Sequence, residues 1–147
     1  MEEIWNLGIC QKKFYENYPS DKYKEMMTKE NRPYTQVIVN INNLKFAVPL
    51  RSGISHSNDV LWTNKAEKHG LDFTKAILIL DDEYLCSEKV FIKNKEHKSL
   101  LGKEYIVKKK MEKCIDNYKK AKNNLKEKHN VEYCKYSTLQ YFENYIM

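Results

Sequence analysis

Residues 34–50 constrain the fold more than any other stretch of this chain. Tyr34 to Ile41 alternates in the two-residue period of a half-buried strand, and Leu44 to Leu50 returns as its partner. Between them stands Asn42-Asn43. Two asparagines tolerate the positive φ that a two-residue hairpin turn of the primed type demands. The hairpin fixes more than local structure. Antiparallel pairing returns the chain to where it entered, so Arg32 on the way in and Arg51-Ser52 on the way out meet at one end.

The remaining segments are shorter. Part of residues 4–19 reads as a short strand opening the sheet. Ser20-Asp21 reads as an N-cap for a short helix from Lys22 to Thr28, stopped by Asn31-Arg32-Pro33. Asn58 to Trp62 is expected to be a strand, Lys65 to Gly70 a helical turn, and Lys75 to Leu80 a buried strand ended by Asp81-Asp82. Tyr84-Leu85 and Val90-Phe91-Ile92 suggest further short pieces. From Lys95 or Ser99 to about His129 the period becomes helical, with Leu100, Leu101, Tyr105, Met111, Ile115, Tyr118 and Leu125 on one face. Ser137 is expected to cap a last short helix running to Tyr145. The sum is a single α+β domain over residues 1–147, with a small antiparallel sheet, surrounding helices and a long basic C-terminal helix.

Composition removes several function classes. A chain of 147 residues with 41% hydrophobic residues is large enough for one core. No apolar run approaches the roughly 20 residues of a membrane span, and the acidic start Met1-Glu2-Glu3-Ile4-Trp5 has no signal-peptide core. A cytoplasmic location is expected. Cys10, Cys86, Cys114 and Cys134 lack C-x-x-C spacing, which fits reduced structural thiols rather than a zinc site. Asp81-Asp82-Glu83 reads as a solvated turn, and no metal ion is expected. Only four glycines occur, in no phosphate-loop pattern, so no nucleotide cofactor is expected. A net charge of +6 and eleven tyrosines favour a polyanion with exposed bases: lysines neutralise phosphates and tyrosines stack.

The segment Phe46-Ala47-Val48-Pro49-Leu50-Arg51-Ser52-Gly53-Ile54-Ser55-His56 concentrates the chemistry. Pro49 has no N–H for a ladder and so favours an edge or the end of pairing. Gly53 permits a positive φ or a close ligand. Arg51 can grip a phosphate with two parallel N–H groups. His56 is the one nearby side chain of a type that ordinarily titrates near neutrality. These are the parts of a metal-independent ribonuclease; the plainer alternative is a polar loop after a strand. Lys108, Lys109, Lys113 and Lys119 belong to the densest positive stretch. They form either a solvated helix face or a track for an RNA backbone, and the test is whether they share a face with Arg32 and Arg51.

Taken together, the hairpin, the strand ending in Pro49-Leu50 and the Arg51-to-His56 loop resemble the endoribonuclease toxins of type III toxin–antitoxin systems, the ToxN and AbiQ family. The resemblance covers most of the chain and is strongest from Asn31 to His56 and at Leu78. Cys134-Lys135-Tyr136-Ser137-Thr138-Leu139 resembles the family's closing helix. Arg32 stands where such members carry lysine, and Ser52 matches the second hydroxyl of a Thr-Ser pair. Arg51 replaces the threonine, Ile54 a lysine, and Thr28 a tyrosine. Pro49-Leu50-Arg51-Ser52 resembles the TenpN or CptN branch better. The resemblance implies a partly open barrel similar to MazF and Kid, and RNA cutting that leaves a 2′,3′-cyclic phosphate. It also implies inhibition by a pseudoknotted repeat antitoxin RNA that the toxin processes, target mRNA as the other partner, closed toxin–RNA oligomers, and growth restraint or phage abortive infection.

On this reading Arg51 and Arg32 hold the scissile phosphate. Ser52 orients the 2′-hydroxyl or a non-bridging oxygen, and His56 is general base or general acid. Ser55 holds the His56 tautomer or contacts phosphate. Tyr34 stacks a base, Trp62 stacks a base or joins the core, and Lys45, Lys108, Lys109, Lys113 and Lys119 bind RNA. His69, His97 and His129 are expected on the surface. The competing readings are a noncatalytic basic RNA-binding module and a plain protein-interaction domain.

Overall fold

A computed structural model describes residues 7–9, 16–19, 22–23, 36–81, 85–89, 100 and 102–147. Residues 24–28 of the expected helix from Lys22 to Thr28, Arg32, Tyr34, Asp82, Glu83, Tyr84, Val90-Phe91-Ile92 and His97 lie outside the described residues.

The hairpin forms as the sequence dictates. Strand β2 (Gln36–Ile41) and strand β3 (Leu44–Arg51) pair antiparallel from Ile41↔Leu44 to Gln36↔Pro49. Asn42 and Asn43 close it at φ of 48° and 69°, the primed turn that matches the strands' own twist. Strand β1 (Leu7–Ile9), the expected opening strand, lies between β2 and strand β7 (Leu85–Lys89).

β3 is the axis of the sheet because it changes partners along its length. Strand β6 (Ile77–Leu78) pairs with Phe46 and Ala47, whereas strand β5 (His69–Asp72) pairs with Leu50 and Arg51. Pro49 sits between the two. Alternation from the hairpin turn points its missing N–H away from β2, so no ladder bond is lost there. Strand β4 (Val60–Asn64) completes the order β4-β5-β3-β2-β1-β7, every described pairing being antiparallel. Gly70 makes the β4–β5 approach possible: a Cβ there would stand 2.6 Å from the Leu61 carbonyl oxygen.

Helix α1 (Glu104–Lys122) covers this sheet with Val107, Met111, Cys114, Ile115, Tyr118 and Ala121, a three-to-four-residue stripe. It is followed by helix α2 (Lys128–Tyr136), a 3-10 turn (Thr138–Tyr141) and helix α3 (Glu143–Ile146). Leu139, Phe142 and Ile146 from these last pieces enter the same core as Val39, Phe46, Phe73 and Leu78.

Several expectations need correction. The long basic helix is not C-terminal. It ends at Lys122, where Asn123-Asn124 turn the chain, and Asn130 Nδ2 donates to the Asn124 carbonyl at 2.9 Å. That break leaves Leu125 exposed, and the start at Glu104 phases Tyr105 outward at 71% exposure, with Val107 inside in its place. Lys65 to Gly70 is not a helical turn. Lys65–Lys68 is a hairpin turn closed by the Lys68 N–H on the Lys65 carbonyl, and Gly70 is already strand. The strand expected over Lys75 to Leu80 shrinks to Ile77–Leu78, because a 3-10 turn (Phe73–Lys75) takes its first residue and Leu80 is exposed. Trp62 is half-buried on the edge strand and stands outside the core cluster. The closing helix divides at Phe142, although Ser137 caps it as expected, its hydroxyl oxygen accepting from Leu139 N–H at 3.1 Å. No described helix is long and apolar enough to cross a membrane.

Candidate active site

The partner change along β3 decides where the chemistry stands. Arg51 is the last residue of β3 and pairs with Gly70, so the start of β5 runs beside it. Two residues past Gly70 comes Asp72, with 0% of its surface exposed. A carboxylate buried this deeply needs every lone pair compensated. Asp72 Oδ1 accepts from the Thr74 N–H at 3.0 Å and the Thr74 hydroxyl at 2.5 Å, capping the 3-10 turn. Its Oδ2 accepts from Arg51 Nη1 at 2.5 Å and stands 3.1 Å from His56 Nε2.

His56 is brought there by the loop after β3. Gly53 takes φ of 65° with open space around its α-carbon, which turns the loop back. Ile54 is then buried at 2% exposure and donates its N–H to the Lys68 carbonyl at 3.1 Å. Ile54 thus anchors the loop, and His56 reaches Asp72 while Ser55 lines the same cavity. The Asp72 carboxylate holds Nε2, so Nδ1 is the nitrogen left for a ligand; among the described residues it has no partner. The Arg51 and His56 side chains remain 26% and 33% exposed, so both reach solvent from a buried anchor.

They open into a cavity of about 400 Å³ whose lining includes Arg51, Ser55, His56, Lys75, Tyr133 and Tyr136. The C-terminal helices form its other wall. Lys75 Nζ donates to the Tyr136 carbonyl at 3.0 Å, and the Thr138 hydroxyl donates to the carbonyl of Ala76 while standing 3.2 Å from that of Thr74. Behind the cavity, Asp59 at φ of 53° accepts from the Tyr133 hydroxyl and, at 3.2 Å, from Asn117 Nδ2, while its own carbonyl takes the Phe73 N–H at 2.9 Å. Burial first, then neighbouring Cys114 and Asp59, push the Tyr133 phenol well above its ordinary range. Tyr133 is therefore a fixed proton donor to Asp59 rather than a base. Burial likewise raises the Cys114 thiol, which lies 3.5 Å from the Phe73 carbonyl oxygen, and that of Cys134. Both cysteines are free, buried thiols.

The structure gathers Arg51, His56 and Ser55 at one cavity. Ser52 is exposed and outside its lining. None of the four α1 lysines expected to bind RNA, Lys108, Lys109, Lys113 and Lys119, lines that cavity. Lys108 and Lys119 line a separate cavity with Ile41, Asn42 and Leu44, at the turn end of the hairpin where Lys45 also stands. Seven strand steps, about 23 Å at the usual rise, separate Leu44 from Arg51. Lys109 lies 3.9 Å from Glu112 and over the Tyr105 ring, and Lys113 is exposed on the same helix. His129 is exposed, while His69 is largely covered and stands 3.9 Å from Glu67.

Sequence reasoning missed Asp72, Thr74, Lys75, Tyr133 and Tyr136. A signal existed for the first two. An acid inside the apolar run Leu71-Asp72-Phe73, followed by Thr74, has the spacing of a side-chain cap on a turn. No protein-family model, curated protein or solved structure matches the chain.

Proposed function

We propose that the chain is an endoribonuclease that cuts RNA by internal attack of a 2′-hydroxyl, acting as the toxin of a type III toxin–antitoxin system. The observation that carries the reading is the Arg51–Asp72–His56 constellation, in which one buried carboxylate orients a cation and an imidazole toward the same cavity. Phosphoryl transfer of this kind needs charge stabilised on the pentacoordinate phosphorus and protons moved at two oxygens. Arg51 keeps four of its five N–H donors after bonding Asp72 through one nitrogen. It binds the non-bridging oxygens, with Lys75 as second cation. His56 Nδ1 carries one proton transfer, at the 2′-hydroxyl or at the leaving 5′-oxygen, and solvent water carries the other. The 2′-oxygen forms a bond to phosphorus as the 5′-oxygen bond breaks, leaving a 2′,3′-cyclic phosphate and a 5′-hydroxyl. Ser52, exposed beside Arg51, orients substrate at the rim.

The finer fold reading, a partly open barrel similar to MazF and Kid, belongs to the same proposal, and the antiparallel sheet bent around β3 supports it. So do the partners: target mRNA, a pseudoknotted repeat antitoxin RNA bound and processed in closed toxin–RNA oligomers, and a cytoplasmic role in growth control or phage abortive infection. Induction of the wild type, His56→Ala and Asp72→Asn chains in bacteria, with 5′ ends mapped on total RNA, tests it. New ends at one recurring short motif, absent in both variants, are expected. Normal growth with no new ends from wild type would leave a noncatalytic RNA-binding module as the better account.

A further inference from the structure

A second cavity, of about 600 Å³, adjoins the first: Asn58 and Tyr133 line both. Its chemistry is different. The first cavity presents a guanidinium, an imidazole and an ammonium against one carboxylate, that of Glu132. The second presents carboxamides, from Asn58, Asn117, Asn124 and Asn130, with Ser57 beside them. Its basic groups are Lys120, 3.0 Å from Asp116, and the His129 imidazole, and the Asp59 carboxylate faces the same space. That balance disfavours a phosphate. A carboxamide offers a donor pair and an acceptor together, the combination that reads the edge of an unpaired base.

The cavity is also prebuilt. Asn117 is held by Asp59 at 3.2 Å and Asn130 by the Asn124 carbonyl at 2.9 Å, so each amide has a set orientation with its own oxygen left to accept. Tyr133 is pinned to the same Asp59. The Asp59 carbonyl bonds the N–H of Phe73, the residue after Asp72, so the two cavities share one backbone junction.

From this juxtaposition we infer that the asparagine cavity is a nucleobase subsite: it holds a base next to the scissile phosphate and sets which sequence is cut. The inference rests on the ribonuclease reading for its position, but the two are separable by experiment. Isotope-labelled protein is titrated with uncleavable 2′-O-methyl dinucleotides of each base while the side-chain amide resonances of Asn58, Asn117, Asn124 and Asn130 are followed. In parallel, cut-site sequences are compared for wild type, Asn58→Ala and Asn130→Ala. Asn58 is exposed and makes no internal bond among the described residues, so its variant is expected to fold; circular dichroism checks both. The expected result is that one or two bases shift the amides, and that the variants lose roughly tenfold of the base preference at one position beside the cut while still cutting. If the variants cut the wild-type motif with unchanged preference, or the amides stay still while Arg51 and His56 respond, the subsite is overturned. If dinucleotides shift the amides but wild type cuts nothing, the subsite stands and the ribonuclease reading falls; silence in both assays sinks both.

Discussion

β3 has positive charge near both ends, and the two ends are built on different principles. At the Arg51 end, Arg51 and His56 from one segment meet a carboxylate from another, 21 and 16 positions away, that has no exposed surface. At the turn end, Lys108 and Lys119 come from one helix whose ion pairs, Lys109–Glu112 and Lys120–Asp116, join residues three and four positions apart. The first arrangement exists only when the chain is folded and fixes each group in direction. The second needs little more than a helix, and its pairs sit in water that screens them. Equal sign of charge therefore does not mean equal function. On the proposed ribonuclease reading, preorganisation for chemistry falls to the Arg51 end and general attraction for a polyanion to the other.

The largest effect should come from removing the anchor. Asp72→Ala leaves the Arg51 cation without its buried partner and uncaps the turn at Thr74; because Arg51 itself reaches solvent, the loss is that of charge-assisted hydrogen bonds, about 1.5–3 kcal/mol. A fall of that size in denaturant unfolding, together with loss of cleavage, is expected; an unchanged midpoint would make the cluster a surface ion pair like those of α1. His56→Ala sharpens the contrast, because it removes a partly exposed group. The expected outcome is near-native stability with cleavage lowered by roughly 10²–10⁴, the usual share of a general acid–base group, read in single-turnover assays.

At the turn end, Lys108→Ala and Lys119→Ala are expected to leave the single-turnover rate intact. Each should reduce the slope of log affinity against log salt by at most about 1, as for loss of one phosphate contact. A large fall in the chemical rate would abolish the distinction between the ends. Smallest of all is Asp116→Asn. The Lys120 hydrogen bond, with further help from Lys113 and Lys119, lowers the carboxyl of Asp116 below its ordinary range. A lowered value means a contribution present above the unfolded carboxylate range and lost as pH falls through the folded value. The group is fully in solvent, so no measurable change in melting temperature is expected at neutral pH, and a clear one would show that α1 pairs matter more than their exposure implies.

The two ends also differed in how far the sequence disclosed them. The hairpin was legible down to its turn because Asn42-Asn43 and the flanking periods are local signals. Arg51 and His56 were legible as chemistry for the same reason: they stand within six positions of each other after a strand. Asp72 was not, because its meaning lies in partners 16 and 21 positions away and its surroundings read as plain core. The α1 face was half legible. Met111, Ile115 and Tyr118 were placed correctly, whereas Tyr105 and Leu125 were assigned to the buried face by extending one period through the helix start at Glu104 and the Asn123-Asn124 break. Local pattern gives periods; tertiary context decides where they stop.

The most direct test of the central claim uses purified protein and a long single-stranded RNA in buffer containing EDTA, with fragment ends identified by mass spectrometry. The account predicts fragments ending in 2′,3′-cyclic phosphate and beginning with 5′-hydroxyl, produced by wild type and not by His56→Ala. RNA that stays intact with wild type, or fragments ending in 3′-hydroxyl, would contradict it.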